Sequence, residues 1–366
     1  MENLRYWLAL QKAPFIGPVG FKSILDKTND PKVVFDNLGD FFQQAKLRDS
    51  TKKYLKNPDW DLIDKEIRWA ETQYNHIVTL SSDNYPPLLK EISDAPPLLY
   101  VKGNPDILKN QQIAIVGSRN PSSTGKDNAF QFAQYLASQN YTVTSGLALG
   151  IDYLGHKGAL ARKGKTIAVT ATGLDQVYPA RHKTLQEDII SSGGAVVTEY
   201  ALGTPAKKEH FPKRNRIISG LSLGVLVVEA AKQSGSLITA RLAGEQGRDV
   251  FAIPGSIHNP LAKGCHILIR QGAKLVENGE HILEELGMIS QSMEFLDNKT
   301  NQNSSTKNLT NEGIETLNHV GFEPTSIDMV VERSGLTPQQ VSSMLLVLEL
   351  QGYVESLPGG TYSRIH

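Results

Sequence analysis

The sequence predicts a doubly wound α/β domain with a mostly parallel sheet, preceded by a small helical domain and followed by a winged helix. Between residues 113 and 253, strand-like apolar runs alternate with helical stretches. This alternation is typical of parallel strands that are covered on both faces by helices. The chain has 366 residues, of which 40% are hydrophobic, so it is long enough for a large core and two or three domains.

Residues 1–75 are predicted to form the helical domain, with a periodic segment at 61–74 as its last helix. Between the first two helices, Phe15-Ile-Gly-Pro-Val-Gly20 fits two structures. One is a helix-hairpin-helix turn, whose backbone N–H groups can hold a phosphate, and the other is a plain helix–helix turn. A connector with two Pro-Pro pairs follows at residues 85–104.

The core domain is predicted to span residues 76–288. Its strands are predicted at Ile113–Val116, Tyr141–Thr144, Thr166–Ala171, Ala195–Thr198, Gly224–Val228 and Val250–Ile253, and its clearest helices at Asp127–Ser138, Ile151–Arg162 and Ser236–Gly247. Ligands of doubly wound sheets bind outside the carboxyl ends of the strands. The loops at this edge are rich in Gly, Ser, Arg and Asn, so we expect the binding site there.

Residues 289–308 are polar and aperiodic, which predicts a flexible linker, and residues 309–366 are predicted to form a winged helix. Its helices are expected at Asn311–Val320, Ile327–Ser334 and Pro338–Gln351, with a hairpin turning at Pro358-Gly-Gly360. This segment has two bases against seven acids, and the third helix has no Lys or Arg. Phosphates would repel such a surface, so we expect the winged helix to bind protein or its own chain.

The run Lys207-Lys-Glu-His-Phe-Pro-Lys-Arg-Asn-Arg216 has five bases and one acid in a chain with a formal net charge of zero. It is predicted to lie just before a helix that leads into the strand at 224–228, beside the loop Gly117-Ser-Arg119. Hydroxyl and N–H groups of that loop suit an anion, and Phe211 adds a stacking surface among the bases. The alternative is a solvated basic face, but the combination favours single-stranded nucleic acid over a lone nucleotide.

Motifs for other chemistry are absent or unconvincing. The segment Gly158–Thr166 resembles a phosphate-binding P-loop, but it has five residues between its glycines and follows a helix. The histidines show no metal-ligand spacing and there is one cysteine, so neither a metal nor a cofactor is expected. Four carboxylates near strand ends are possible general bases, but a structural role is favoured: Asp152, Asp175, Glu199 and Glu229.

No segment predicts contact with a membrane. The apolar N-terminal run is interrupted by Arg5 and Gln11, and no later stretch has the 18 or so apolar residues that a membrane helix needs. A single cysteine, Cys265, fits a reducing compartment. We therefore expect a cytoplasmic protein.

Six ordered blocks of the sequence resemble the DNA-processing protein A (DprA, or Smf) family. The blocks are VGSR at 116–119, SGLALGID at 145–152 with His156, GLDQVYP at 173–179, FPKRNRIISGLS at 211–222, VEAA at 228–231 with SGSLITA at 234–240, and GRDVFAIPG at 247–255. The resemblance covers about residues 85–276. It implies an extended Rossmann-like core, and it agrees with a SAM/helix-hairpin-helix-like N-terminal domain and a C-terminal winged helix.

The resemblance also implies a function without enzymatic activity. The protein would bind single-stranded DNA, protect it during natural transformation, load RecA recombinase onto it, and act as a homodimer. By motif, the DNA site would consist of Gly117, Ser118, Arg119, Lys208, Phe211, Lys213, Arg214, Asn215 and Arg216.

Two positions depart from the family pattern. His182 stands where the family usually has Asn, and Phe15 replaces the first glycine of the usual hairpin turn. An alternative function is nucleotide hydrolysis by a phosphoribohydrolase-like enzyme with a similar core. The segment Ser234–Thr239 lacks the glycine-rich phosphate motif of those enzymes, which counts against this alternative.

Overall fold

The computed structural model describes residues 2–287, 311–322 and 324–365. They divide into two compact units. The first comprises residues up to Pro254 and Pro260–Leu286, and the second includes the described C-terminal residues from 311 onward. The predicted linker at 289–308 lies outside the described residues, and the domain boundaries near 75 and 288 stay predictions.

The chain begins with helices, as predicted. They are α1 (Glu2–Gln11), α2 (Pro18–Thr28), α3 (Pro31–Asp36), α4 (Leu38–Gln44), α5 (Asp49–Lys56) and α6 (Trp60–Ala70). Aspartates cap two of them, because the side chain of Asp30 accepts from the N–H of Lys32 and that of Asp59 from the N–H of Leu62. On α6, the buried carboxylate of Glu66 accepts from Lys12 Nζ and from the Tyr100 hydroxyl, each at 2.8 Å.

Among the described residues, nine strands form one sheet in the order β1-β2-β6-β5-β4-β3-β7-β8-β9. The strands are β1 (Asn75–Thr79), β2 (Leu98–Gly103), β3 (Gln112–Val116), β4 (Thr142–Ser145), β5 (Thr166–Val169), β6 (Ala195–Thr198), β7 (Gly224–Val227), β8 (Asp249–Ala252) and β9 (Lys274–Leu275). All neighbours from β6 to β9 are parallel, whereas β1 and β2 are antiparallel additions. The predicted mostly parallel sheet is therefore confirmed.

Eight helices accompany the strands in the described part of this unit. They are α7 (Pro87–Glu91), α8 (Ser123–Ser138), α9 (Ile151–Ala161), α10 (Lys183–Ser191), α11 (His210–Leu221), α12 (Gly235–Glu245), α13 (Lys263–Arg270) and α14 (Gly279–Glu285). The middle strands are apolar and fully buried, as expected for a sheet covered on both faces.

Two local predictions are wrong. The Pro-rich stretch is no simple connector, because it contains α7 and runs directly into β2, which pairs with β6. The prolines lie where they disturb little, at the start of α7 and just before β2. The basic run at 207–216 does not precede its helix, since α11 begins at His210 and Pro212 fits its first turn, where no hydrogen-bonded N–H is required.

The described C-terminal residues form the predicted winged helix. Its elements are α15 (Asn311–His319), β10 (Thr325–Ser326), α16 (Ile327–Ser334), α17 (Pro338–Leu350), β11 (Val354–Leu357) and β12 (Thr361–Arg364), with strand order β10-β12-β11. The capping box of Thr337 and Gln340 begins α17. A separate apolar core, which includes Leu317, Val330 and Leu345, holds this unit together. None of the helices in the described ranges has the length and apolar character that a bilayer crossing requires.

Candidate functional site

A cavity of about 510 Å³ lies at the carboxyl edge of the sheet, and we call it the first cavity. The chain leaves β3 toward β4 on one side, whereas β7 lies on the other side of β3 and leads to β8. The loops that follow β3 and β7 therefore diverge, and this switch point is where doubly wound sheets bind ligands. Both loops line the first cavity, through Gly117 and Arg119 on one side and Ser234, Gly235 and Ser236 on the other.

The loop after β3 is fastened at both ends. The N–H of Ile151 donates to the carbonyl of Ser118 at 3.1 Å, and the Ser118 hydroxyl accepts from the N–H of Asn120. At the far end, Ser122 caps α8 and its N–H donates to the Glu229 carboxylate at 3.0 Å. Arg119 stands between these anchors as an exposed side chain, so its guanidinium is available to a ligand.

Helix α11 supplies the opposite wall through Lys208, just before it, and through Phe211, Arg214 and Asn215. Phe211 is at the centre of the cationic groups. Its ring centroid lies 5.7 Å from Cζ of Arg119 and 6.0 Å from Cζ of Arg214. The ring centroid of Tyr178 lies 5.5 Å from that of Phe211. The first cavity thus combines two aromatic rings with positive charge.

Arg214 is held rigidly across the ends of two strands. Its Nη1 donates to the carbonyls of Gly146 and Val169, which follow and end β4 and β5. Burial lowers the pKa of Arg214 to about 10, so the guanidinium remains charged at neutral pH. The neighbouring Asp152 accepts from the N–H groups of Gly146 and Ala148, and burial raises the pKa of its carboxyl group. Arg214 is therefore a fixed cation on the cavity wall.

The structure does not bring every predicted site residue to the first cavity. Ser118 and Lys213 lie outside its lining, and Lys213 is exposed. Arg216 is buried in an ion-pair cluster, with its Nε 3.0 Å from Asp94 Oδ2 and its Nη2 2.5 Å from Glu199 Oε2. These contacts give Arg216 a structural role within the first unit.

The four carboxylates near strand ends all have intrachain partners. Asp152 and Asp175 accept from backbone N–H groups, Glu229 holds Ser122, and Glu199 pairs with Arg216. Burial raises the pKa of Glu199, and Arg216 opposes that shift. In the described ranges, no group of three or more His, Cys, Asp or Glu side chains is arranged to hold a metal ion.

Tyr178 is a functional candidate that was not among the predicted site residues, and it lines the first cavity together with the start of α12, whose sequence is that of an anion-binding helix start. Tyr178 is 48% exposed beside Phe211, although its block lies far from α11 in the sequence. Ser234 caps α12, because its side chain accepts from the N–H of Ser236, and Ser234, Gly235 and Ser236 line the first cavity. Both segments belong to the recognised sequence blocks, but the block that contains Tyr178 gave no sign of its proximity to Phe211.

Comparison with known proteins places these features in context. The family model for DNA recombination-mediator protein A matches residues 76–287, and that for the DprA winged helix domain matches residues 302–360. Protein Smf of Escherichia coli is 44% identical over 298 residues, covering 81% of this chain and 80% of that protein.

Two solved structures are also similar. DNA processing protein A from Streptococcus pneumoniae has a TM-score of 0.68 and 41% identity, covering 77% of this chain and 97% of that one. The other is DNA processing protein A from Helicobacter pylori, whose structure concerns its single-stranded DNA binding mode. It has a TM-score of 0.52 and 30% identity, and the match covers 57% of this chain and 95% of that one.

Proposed function

Because the chain belongs to the DNA recombination-mediator protein A family, we propose that it binds single-stranded DNA in the first cavity. The observation that carries the proposal is the cluster of Arg119, Arg214 and Phe211 at the switch point of the sheet. The similar protein from Helicobacter pylori binds single-stranded DNA, which supports the same ligand here.

The chemistry of the first cavity suits an unpaired strand. Bases stack on the rings of Phe211 and Tyr178, while the phosphates contact Arg119 and Lys208 beside the small residues at the start of α12. Phe211 is partly buried in the wall of the first cavity, so a base has to be unpaired to reach it. The binding free energy of a duplex would then lack the stacking contribution, which is about 1–3 kcal/mol per base.

We extend the proposal to the role that the family resemblance implies. The protein protects incoming single strands during natural transformation, loads RecA recombinase onto them, and acts as a homodimer without enzymatic activity. The engagement of Asp152, Asp175, Glu199 and Glu229 in intrachain contacts supports a non-catalytic role, since none is poised as a free base.

The proposal is tested by fluorescence anisotropy with a labelled oligothymidylate and the full chain. Arg119→Ala is expected to raise Kd about 10- to 100-fold, because a phosphate loses a charge-assisted contact. Thermal stability should change little, since Arg119 is exposed, has no ion pair among the described residues and loses only its contact with the Phe211 ring. Arg162→Ala, an exposed arginine directly after α9, is the matched control. An unchanged Kd for Arg119→Ala would contradict the proposed site.

A further inference from the structure

A second cavity of about 660 Å³ adjoins the first and has no role in the function described so far. Arg119 lines both cavities, so they meet at the loop after β3. The second cavity lies between that loop, the start of α9 and the turn that precedes α10. Its side chains include Arg119, Lys126, Tyr153, Leu154, Arg181 and His182.

The charge of the second cavity selects an anion. Three of its ten lining residues are Arg or Lys, and none is Asp or Glu. Arg119, Lys126 and Arg181 are exposed, and none of them has a salt bridge to another described residue. These cations are therefore not neutralised by the described part of the protein, which favours a negatively charged ligand.

The walls favour a ligand that also has a flat apolar part. Tyr153 forms one wall, and its ring centroid lies 5.1 Å from that of His182. His182 is buried, and its Nδ1 lies 2.9 Å from the carbonyl of Leu147, which fixes its ring beside that of Tyr153. Leu149 and Leu154 complete the apolar surface. A nucleotide has both required parts, a stacking base and an anionic phosphate.

The partition between the two cavities is fixed by the protein's own contacts. Gly150 has φ +75°, and a Cβ at this position would overlap the backbone carbonyls of Ser118 and Arg119. The adjacent N–H of Ile151 holds the Ser118 carbonyl at 3.1 Å. The loop after β3 is thus pressed against the start of α9, and both cavities exist without a ligand to form them.

We propose that the bound single strand continues over Arg119 into the second cavity. There one base packs on Tyr153, and the phosphates beside it contact Lys126 and Arg181. The proposal rests on the proposed function, because the strand enters from the first cavity. It assigns the turn with Arg181 and His182 a role in positioning DNA, and it makes Arg119 the contact for the phosphate between two subsites.

The strand path is tested by photocrosslinking with the full chain. Oligothymidylates carry a single 5-iododeoxyuridine at successive positions, and mass spectrometry identifies the crosslinked peptide after ultraviolet irradiation. Crosslinks from one position to Phe211 or Tyr178 and from another position to Tyr153 are expected. Tyr153→Leu, which keeps an apolar side chain at this wall, should remove only the second crosslink.

Affinity provides an independent measurement. The double variant Lys126→Ala/Arg181→Ala is expected to raise Kd about 10-fold or more for long oligothymidylates. For this variant, the slope of log K, the logarithm of the binding constant, against the logarithm of the salt concentration should be less steep by about 0.7–1.4. This difference corresponds to the loss of one or two phosphate contacts with a single strand. The shortest oligothymidylate that crosslinks to Phe211 but not to Tyr153 should bind the double variant and the wild type equally. Arg162→Ala, directly after the far end of α9, is the charge control.

The outcomes separate this proposal from the proposed function. Crosslinks to Phe211 or Tyr178 alone, with an unchanged Kd for the double variant, would contradict the second subsite and leave the first cavity intact. Saturable binding of free dTMP that the double variant abolishes, without a strand crosslink to Tyr153, would assign the second cavity to a free nucleotide and overturn the strand path. If the wild type binds no single strand at all, both proposals fail.

Discussion

Replacement of Arg216 separates a structural arginine from the DNA-binding arginines. Its side chain is 9% exposed and that of Glu199 is 14% exposed, whereas the side chain of Asp94 is 40% exposed. The bridge to Asp94 is therefore worth at most about 1 kcal/mol. The buried bridge to Glu199 dominates, and removal of one partner of such a pair costs about 3–5 kcal/mol because the other charge stays buried.

Arg216→Met should accordingly lower the free energy of unfolding of the first unit by about 3 kcal/mol. The double variant Arg216→Met/Glu199→Leu should regain most of this loss, because an apolar pair of similar volume leaves no unpaired charge. Urea denaturation followed by tryptophan fluorescence measures the effect in the first unit, since all three tryptophans, Trp7, Trp60 and Trp69, lie in its N-terminal helices.

DNA binding provides the second half of this test. Under conditions where Arg216→Met is folded, its Kd for an oligothymidylate and the salt dependence of that Kd should match those of the wild type within about twofold, because no phosphate contact is lost. Unchanged stability together with a weaker, less salt-dependent affinity would refute the reasoning. Arg216 would then contact DNA, as the family resemblance implies.

Three further predictions address other parts of the molecule. Burial lowers the pKa of His156 to about 3, so between pH 6.5 and 3 the unfolded chain binds a proton that the folded chain does not. The free energy of unfolding should therefore fall by about 2 kcal/mol from pH 7 to 5. In urea denaturation, His156→Asn should show a smaller pH dependence of this free energy. Gly125→Ala places a Cβ against the Glu229 carboxylate that holds the loop after β3. Calorimetry should show that the free energy of unfolding falls by about 1–3 kcal/mol. Fluorescence anisotropy should show a raised Kd for single strands. Ser342→Glu/Ser343→Glu, at two exposed positions of α17, should change the Kd for single strands less than about twofold, since the first cavity is built from residues of the first unit; a large loss would implicate the winged helix in DNA binding.

The fold was predictable where the sequence pattern is local. The six predicted parallel strands agree with the structure within two residues at each end, because their apolar runs are short, rich in β-branched residues and alternate with helical stretches. The antiparallel pairing of β2 with β6 was not predictable, since it joins segments that are remote in the sequence and prolines adjoin β2. Helix α11 begins earlier than predicted, because Pro212, which suggests a break within the basic run, is accommodated in the first turn of the helix.

Prediction of the site was also limited, because contacts between segments that are remote in the sequence cannot be predicted from local patterns. The loop of Gly117 and Arg119 and the run around Phe211 are recognisable from residue types alone, and the structure brings them together. The different roles of Arg214 and Arg216 cannot be recognised from residue types. Both arginines belong to α11, but their partners come from strands and loops that are remote in the sequence. The second cavity was not predictable either, since Arg181 is an exposed base in the turn before α10 and belongs to none of the recognised motifs.

The affinity of the full chain for single-stranded and duplex DNA tests the central claim most directly. Competition of unlabelled oligothymidylate and of a duplex of equal length against a labelled single strand gives both values at one salt concentration. We expect the single strand to compete at least about 10-fold better, because stacking on Phe211 requires an unpaired base. We also expect its affinity to fall steeply as the salt concentration rises. Equal affinity for the two forms would contradict the account.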